Sequence, residues 1–160
     1  MKGLSFTVDG ELYAVDVTLV QKVARRLAFT PVPSSPGEVI GIANLKGRVV
    51  TVLSLNRLLG ICDSGDTGRY VNTIVFKSHS GAEDQMGLAI DKPGNLIYFD
   101  SDAIRSPPIT DTVQNHHISG VTEIDEVFYR IVDIESILKN YTHGSEIISA
   151  NSSFGGTENE

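Results

Sequence analysis

Residues 39–59 are written a second time as residues 118–138, at a constant offset of 79 and without a gap. Gly41 aligns with Gly120, Ile42 with Val121, Leu45 with Ile124, Val49 with Phe128 and Val52 with Ile131. Leu53, Leu55, Leu58 and Leu59 align with Val132, Ile134, Ile137 and Leu138. Few pairs are identical, yet nearly all keep apolar on apolar, so what repeats is a pattern of burial. The echo extends further: Ala14-Val15-Asp16 returns as Ala89-Ile90-Asp91 at an offset of 75, and Pro31 and Pro33 are answered by Pro107 and Pro108. One backbone has been built twice, and any fold proposed for the chain must hold two related lobes.

The local patterns describe that unit. Residues 4–8 alternate apolar and polar, the period of a half-buried strand; Asp9-Gly10 is a tight-turn pair, and residues 12–17 form the return strand. Residues 18–26 predict one or two helical turns, with Thr18 as N-cap, leading into an extended edge. Three prolines make residues 30–37 a fixed loop. Residues 39–45 and 48–53 predict a hairpin around Lys46-Gly47, followed by a short helix from the N-cap Ser54 to a stop at Gly60. After a polar, glycine-rich linker at 62–69 the order repeats: strands at 73–76 and 86–91 with a loop at 80–85 between them, a hairpin over 118–132 and a helix over 133–139. Residues from about 141 onward have little to bury, and disorder is expected there. Each copy thus holds four or five short strands and one short helix, the content of a small barrel with a marginal core. Two such barrels would bury against each other the faces neither covers alone, leaving a groove at their junction as a natural binding place. The chain reads as a single domain over residues 1–140, with lobes of about 1–60 and 70–140 and a tail at 141–160.

Several function classes fall away on composition and motif. No apolar run is long enough to span a bilayer, and no signal peptide is expected at Met1-Lys2-Gly3. The single cysteine, Cys62, excludes an internal disulfide and fits a reducing cytoplasm; Asp63 and Asp66 beside it favour the thiol over a nucleophilic thiolate. The net charge of −7 divides into +3 over residues 1–60 (seven Lys/Arg, four Asp/Glu) and −10 over residues 61–160 (six against sixteen). An acidic chain is a poor phosphate binder, so nucleic acid is not an expected partner, and a small RNA-binding barrel conflicts with that charge. The asymmetry does suggest that the two copies face different partners.

Catalytic chemistry finds no foothold. His116-His117 would point to opposite faces of an extended segment and has no companion Cys or His in sequence, so a solvated loop is expected and no metal. Asp16 and Asp91 stand at equivalent strand ends, where a carboxylate caps turns. No nucleophile-elbow, phosphate-loop or dinucleotide glycine pattern occurs, and no cofactor is implied. What remains is the first hairpin. Asn44/Glu123, Lys46/Asp125, Gly47/Glu126 and Arg48/Val127 disagree between the copies while their apolar neighbours agree, so packing alone does not account for them; neutral drift on a solvated tip is the plain alternative.

Taken with their order and spacing, residues 13–17 (Tyr-Ala-Val-Asp-Val), 20–23 (Val-Gln-Lys-Val), 30–33 (Thr-Pro-Val-Pro), 39–50, 55–59 and the block 118–138 resemble the CheW family, the coupling proteins of bacterial chemotaxis arrays. The resemblance covers about residues 3–140. It implies a mainly β fold of two intertwined, SH3-like five-stranded β-barrel subdomains with short helices, one of them C-terminal. It implies no catalysis and two protein partners: the cytoplasmic tip of a methyl-accepting chemoreceptor and the regulatory domain of a CheA-type histidine kinase. Receptor contact would fall in the groove between the lobes, at Val20, Val23 and Lys46 and along Gly94, Asn95, Leu96 and Ile97. The kinase domain would dock on the first hairpin near Ile42, Asn44 and Val50, and Lys22 and Arg48 are further partner-binding candidates. The implied protein is cytoplasmic, recruited to membrane-associated arrays without inserting in the bilayer, and monomeric when free.

The chain departs from the family pattern at three places. Lys46-Gly47 stands where Arg-Gly is usual, and a flexible point charge replaces a planar fork of donors. Lys22 stands where the family often has an acidic residue, and Ser54 replaces the usual Asp at the helix start. These departures leave a second reading open: a divergent scaffold that binds another signalling protein, or modulates array assembly without activating a kinase.

Overall fold

The computed structural model describes residues 1–60, 68–78, 85–106 and 117–141. Cys62, the linker up to residue 67, residues 80–84 of the long loop, Pro107, Pro108, His116 and the tail from 142 on lie outside them. Ten strands follow in chain order: β1 (Lys2–Val8), β2 (Glu11–Asp16), β3 (Val20–Ala28), β4 (Val39–Leu45), β5 (Arg48–Ser54), β6 (Tyr70–Phe76), β7 (Gln85–Ile90), β8 (Lys92–Tyr98), β9 (Ile118–Ile124) and β10 (Val127–Val132). Helix α1 (Leu55–Leu58) follows β5 and α2 (Ile134–Tyr141) follows β10. Five strands fall in each half, and they assemble into two five-stranded sheets, as the mainly β, two-barrel reading expects.

The sheets do not follow the halves of the sequence. One has the order β8-β1-β2-β10-β9 and the other β3-β6-β7-β5-β4. They correspond strand for strand: β1 to β6, β2 to β7, β8 to β3, and the hairpin β9–β10 to β4–β5. Each half therefore keeps its first two strands in one sheet and sends its last three to the other, which is what intertwined means here. The joins between halves are the antiparallel pairs β1–β8 and β3–β6 and the parallel pairs β2–β10 and β5–β7. Each sheet is drawn towards closure by one further bridge, Thr30 to Ile42 in the second and Arg105 to Val121 in the first.

The duplicated glycines explain themselves at those bridges. A Cβ on Gly41 would lie 2.5 Å from the Thr30 carbonyl oxygen, and one on Gly120 would lie 2.2 Å from Ile104 Cγ2 and 2.6 Å from the Arg105 carbonyl oxygen. Only a residue without a side chain lets the closing segment cross there.

Burial is divided among three cores. The largest joins the sheets: Phe6, Tyr13 and Val15 from the first meet Leu53, Ile74 and Leu88 from the second, with Leu55, Leu58, Ile134 and Ile137 of the two helices. A second core fills the β3–β7 sheet with Val50, Val52, Val75 and Phe29. A third, of Ala14, Ile97, Phe99 and Ile131, fills the other. The shared core is the largest because a five-stranded sheet of this length cannot bury both of its faces by itself.

The local readings hold with two adjustments. Asp9-Gly10 and Lys46-Gly47 both have two consecutive positive φ angles (53° and 77°; 53° and 83°), the turn that matches the twist of a two-residue hairpin. Ser54 Oγ accepts from Arg57 N (3.4 Å), and Asp133 Oδ1 does the same for Ser136 N (3.2 Å), so both copies cap their helix alike. The predicted turns at 18–26 shrink to a single 3-10 turn at Val17–Leu19, whose cap is Asp16 rather than Thr18: Asp16 Oδ1 accepts from Thr18 N at 3.0 Å. The β-branched and apolar residues that follow then extend as β3, because pairing with β6 outweighs a weak local helix preference. Asp91 also serves structure, accepting from Asp9 N at 2.7 Å.

Candidate protein-interaction site

The first hairpin tip is presented as the sequence predicts. Asn44, Lys46, Gly47 and Arg48 are exposed, and Asn44 Oδ1 accepts from Gly47 N at 2.9 Å, fixing the turn from within. Lys46 therefore projects from a rigid platform. Ile42 is half-buried on the same strand.

Val50 does not belong to this surface. It is fully buried, opposite Ala43, in the core of its sheet. Side chains of a strand alternate faces, so the outward apolar residue is Val49, 44% exposed. The same parity corrects β8. Ile97 is buried in the third core, while Leu96 and Tyr98 on either side are 46% and 69% exposed.

Gly94 and Asn95 carry a structural duty. Pro93 pairs with Phe6 and Leu96 with Leu4, so these two residues stand against Ser5 alone in a β-bulge. Ser5 Oγ donates to Asn95 O (2.8 Å) and accepts from Asn95 N (2.9 Å), and a Cβ on Gly94 would lie 2.4 Å from that oxygen. The bulge re-aims the strand and leaves Gly94, Asn95 and Leu96 exposed.

Val20, Lys22 and Val23 are half-buried on β3, where Val20 and Val23 pack against the shared core. β3 bulges twice, between Val20 and Lys22 and between Ala24 and Leu27. At the second bulge Arg26 takes a φ of 52°, its N–H donates to Asn72 Oδ1 (3.0 Å), and its guanidinium lies 5.4 Å from the centre of the Tyr70 ring. β3 and β8 are equivalent edge strands of the two sheets, so the sequence-predicted receptor residues divide between two corresponding edges, one on each sheet. The structure thus gathers Asn44, Lys46 and Arg48 at one tip and places Val20, Lys22 and Val23 on an edge strand of one sheet and Gly94, Asn95 and Leu96 on the equivalent edge strand of the other.

A cavity of about 400 Å³ lies elsewhere, beneath the proline loop, lined by Phe29, Val32, Val39, Ile40 and Arg57 among others. None of the sequence-predicted residues lines it. Among the described residues no group of three or more His, Cys, Asp or Glu is placed to hold a metal ion, and no helix is long and apolar enough to cross a membrane. The outward residues that sequence reasoning missed are Val49, Tyr98, Val127 and Phe128, the last two 37% and 61% exposed. Strand parity counted from the tight turns was the signal that could have found them.

Fold and surface together define a class: a two-barrel β scaffold whose chain-specific residues sit on exposed hairpins and strand edges. The CheW-like domain family matches residues 2–141, and the chain belongs to that family. It is 27% identical to the chemotaxis protein CheW of Thermotoga maritima over 139 residues, 87% of this chain and 88% of that one. It is 27% identical to the chemotaxis protein CheW of Bacillus subtilis over 150 residues, 94% of this chain and 84% of that one. Among solved structures it is similar to the scaffolding protein TtCheW of Thermoanaerobacter tengcongensis, with a TM-score of 0.69 and 27% identity, covering 82% of this chain and 87% of that one.

Proposed function

We propose that this chain is a non-catalytic chemotaxis adaptor that couples chemoreceptor cytoplasmic tips to a CheA-type histidine kinase, working in the cytoplasm at membrane-associated arrays. The observation that carries the reading is family membership over residues 2–141 combined with an exposed, rigidly built tip at Lys46, where the copies share apolar positions but not polar ones. Half-exposed apolar side chains (Val20, Val23, Leu96) would supply contact area, and Lys22, Lys46 and Arg48 would select the partner by charge. Ile42, Asn44 and Arg48 support a kinase surface on the first hairpin, with Val49 in the place expected of Val50. A pull-down with the cognate receptor tip and the kinase regulatory domain tests the adaptor; binding to neither overturns it.

Lys22 and Lys46 favour a second reading, a scaffold that occupies array positions without activating kinase. Kinase activity in a reconstituted receptor–kinase mixture separates the two, since an adaptor raises it and an inert scaffold does not.

A further inference from the structure

The β3-β6-β7-β5-β4 sheet is carried by residues 20–60, 68–78 and 85–90, which hold eight Lys/Arg against Glu38 alone. Three of the eight are arginines brought to one corner. Where β3 bulges, Arg25 and Arg26 stand against Asn72 alone, because Ala24 pairs with Thr73 and Leu27 with Val71. Arg69 joins them just before β6, where its carbonyl oxygen accepts from Phe29 N at 3.1 Å. All three arginines are exposed, as is Tyr70, whose ring lies against the Arg26 guanidinium. No carboxylate among the described residues pairs with any of them. Arg26 moreover keeps its long side chain at a left-handed φ of 52°, so this cation is held against local strain.

The opposite charge lies outside the described residues. All thirteen Lys/Arg of the chain fall within them beside twelve of its twenty Asp/Glu, so the described residues carry +1 while the whole chain carries −7. Residues 142–160 are the longest of the remaining segments and hold the most acid: Glu146, Glu158 and Glu160, with no Lys or Arg. The same segment holds the apolar Ile147, Ile148 and Phe154, which suit an exposed aromatic ring such as Tyr70. It follows α2 directly. Extended, a segment of this length reaches about 60 Å, farther than the width of about 40 Å expected of a domain this size.

We propose that residues 142–160 fold back onto the chain's own basic corner, their glutamates paired with Arg25, Arg26 and Arg69 and their apolar side chains against Tyr70. The three arginines face three carboxylates, and charge complementarity selects this corner over the acidic β9–β10 hairpin. Exposed ion pairs are individually weak. The tether compensates, because it presents the segment at an effective concentration of about 1 mM, enough to populate a contact that a separate peptide would make only at similar concentrations. Held there, the segment competes with whatever approaches the β3 edge and leaves only when a stronger acid or salt displaces it. This goes beyond the adaptor reading and does not rest on it.

Paramagnetic relaxation in the full chain tests it, with a nitroxide on Ser153→Cys in a Cys62→Ser background. At about 0.05 M salt the backbone amide signals of Arg26, Leu27 and Tyr70 should lose about half their intensity or more, and at about 0.5 M salt they should recover. Those of Asp125 and Glu126 at the acidic hairpin should stay unchanged throughout. R25E/R26E/R69E should abolish the effect, and so should E146K/E158K/E160K, which leaves the described fold untouched. Combining the two sets should restore it. Circular dichroism of each variant checks that the fold is intact. Broadening that is absent at low salt, that falls equally on Asp125 and Glu126, or that survives either charge reversal overturns the proposal. So does a combined variant that fails to regain it. Broadening that passes between a nitroxide-bearing chain and a separate isotope-labelled one also overturns it, since the contact would then join two copies.

Discussion

At the scale of single residues, the two hairpin tips separate structural from recognition roles. Lys46 is exposed, and the Asn44 side chain fixes the turn beneath it without its help. Lys46→Glu is expected to weaken partner binding in a pull-down while shifting stability by less than about 0.5 kcal/mol. Equal loss of both would make the residue structural. Glu126 behaves in the opposite way. Replacing it with Gly relieves a side chain at φ 66°, and after the greater freedom of glycine in the unfolded chain is set against that relief, a gain of up to about 1 kcal/mol is expected in thermal melts. Tyr13 supplies a pH signature. Burial pushes its phenol above the ordinary tyrosine value of about 10, with the nearby Arg130 guanidinium opposing the shift. The folded state then holds the phenolic proton more tightly than the unfolded one. That stability is fully present below the unfolded value and is lost as pH rises through it towards the folded value. Melting temperatures should decline on the alkaline side of pH 10, and Tyr13→Phe should flatten part of the decline.

At the scale of elements, barrel closure hangs on two glycines. Gly41→Ala would set a methyl group 2.5 Å from the Thr30 carbonyl oxygen, and a loss of about 1–3 kcal/mol is expected, read as a lower denaturant midpoint. Gly120→Ala should behave in the same manner, because the Arg105 bridge repeats the geometry. A substitution at Gly47, where nothing lies within 4 Å, would reveal only the backbone preference of the turn. The hairpins, caps and turn residues were legible in the sequence because each depends on a few adjacent side chains. The turn at Val17–Leu19 is shorter than the sequence predicts, since nothing local reveals that β6 pairs with the following segment. The resemblance puts Val50 and Ile97 at a partner surface because it transfers a neighbourhood, whereas the face a residue takes depends on parity and on bulges. The Gly94–Asn95 bulge is one of those interruptions.

At the scale of the whole molecule, neither half holds a complete sheet. Residues 1–60 contain β1–β5, and those strands need β6, β7, β8 and β10 as partners. Expressed alone, each half should lack the circular-dichroism signal and cooperative melt of the full chain, and mixing the halves should restore both. Two halves that fold independently would mean that the exchanged strands are dispensable.

The sequence by itself determined that one unit was written twice, where its turns and helix caps fall, which positions are apolar and which polar pairs differ between the copies. These follow from short-range preferences and hydrophobic periodicity, which are properties of neighbouring residues. The tertiary structure alone decided that the halves exchange strands, and with that exchange which charges share a barrel. Counted along the chain, the described residues of the two halves carry +3 and −2; counted by sheet, with residues 20–60, 68–78 and 85–90 set against the rest, the same residues carry +7 and −6. The difference has a physical cause. Strands far apart in sequence pair through backbone hydrogen bonds, which every residue except proline can make, so the choice of partner leaves little mark on residue type.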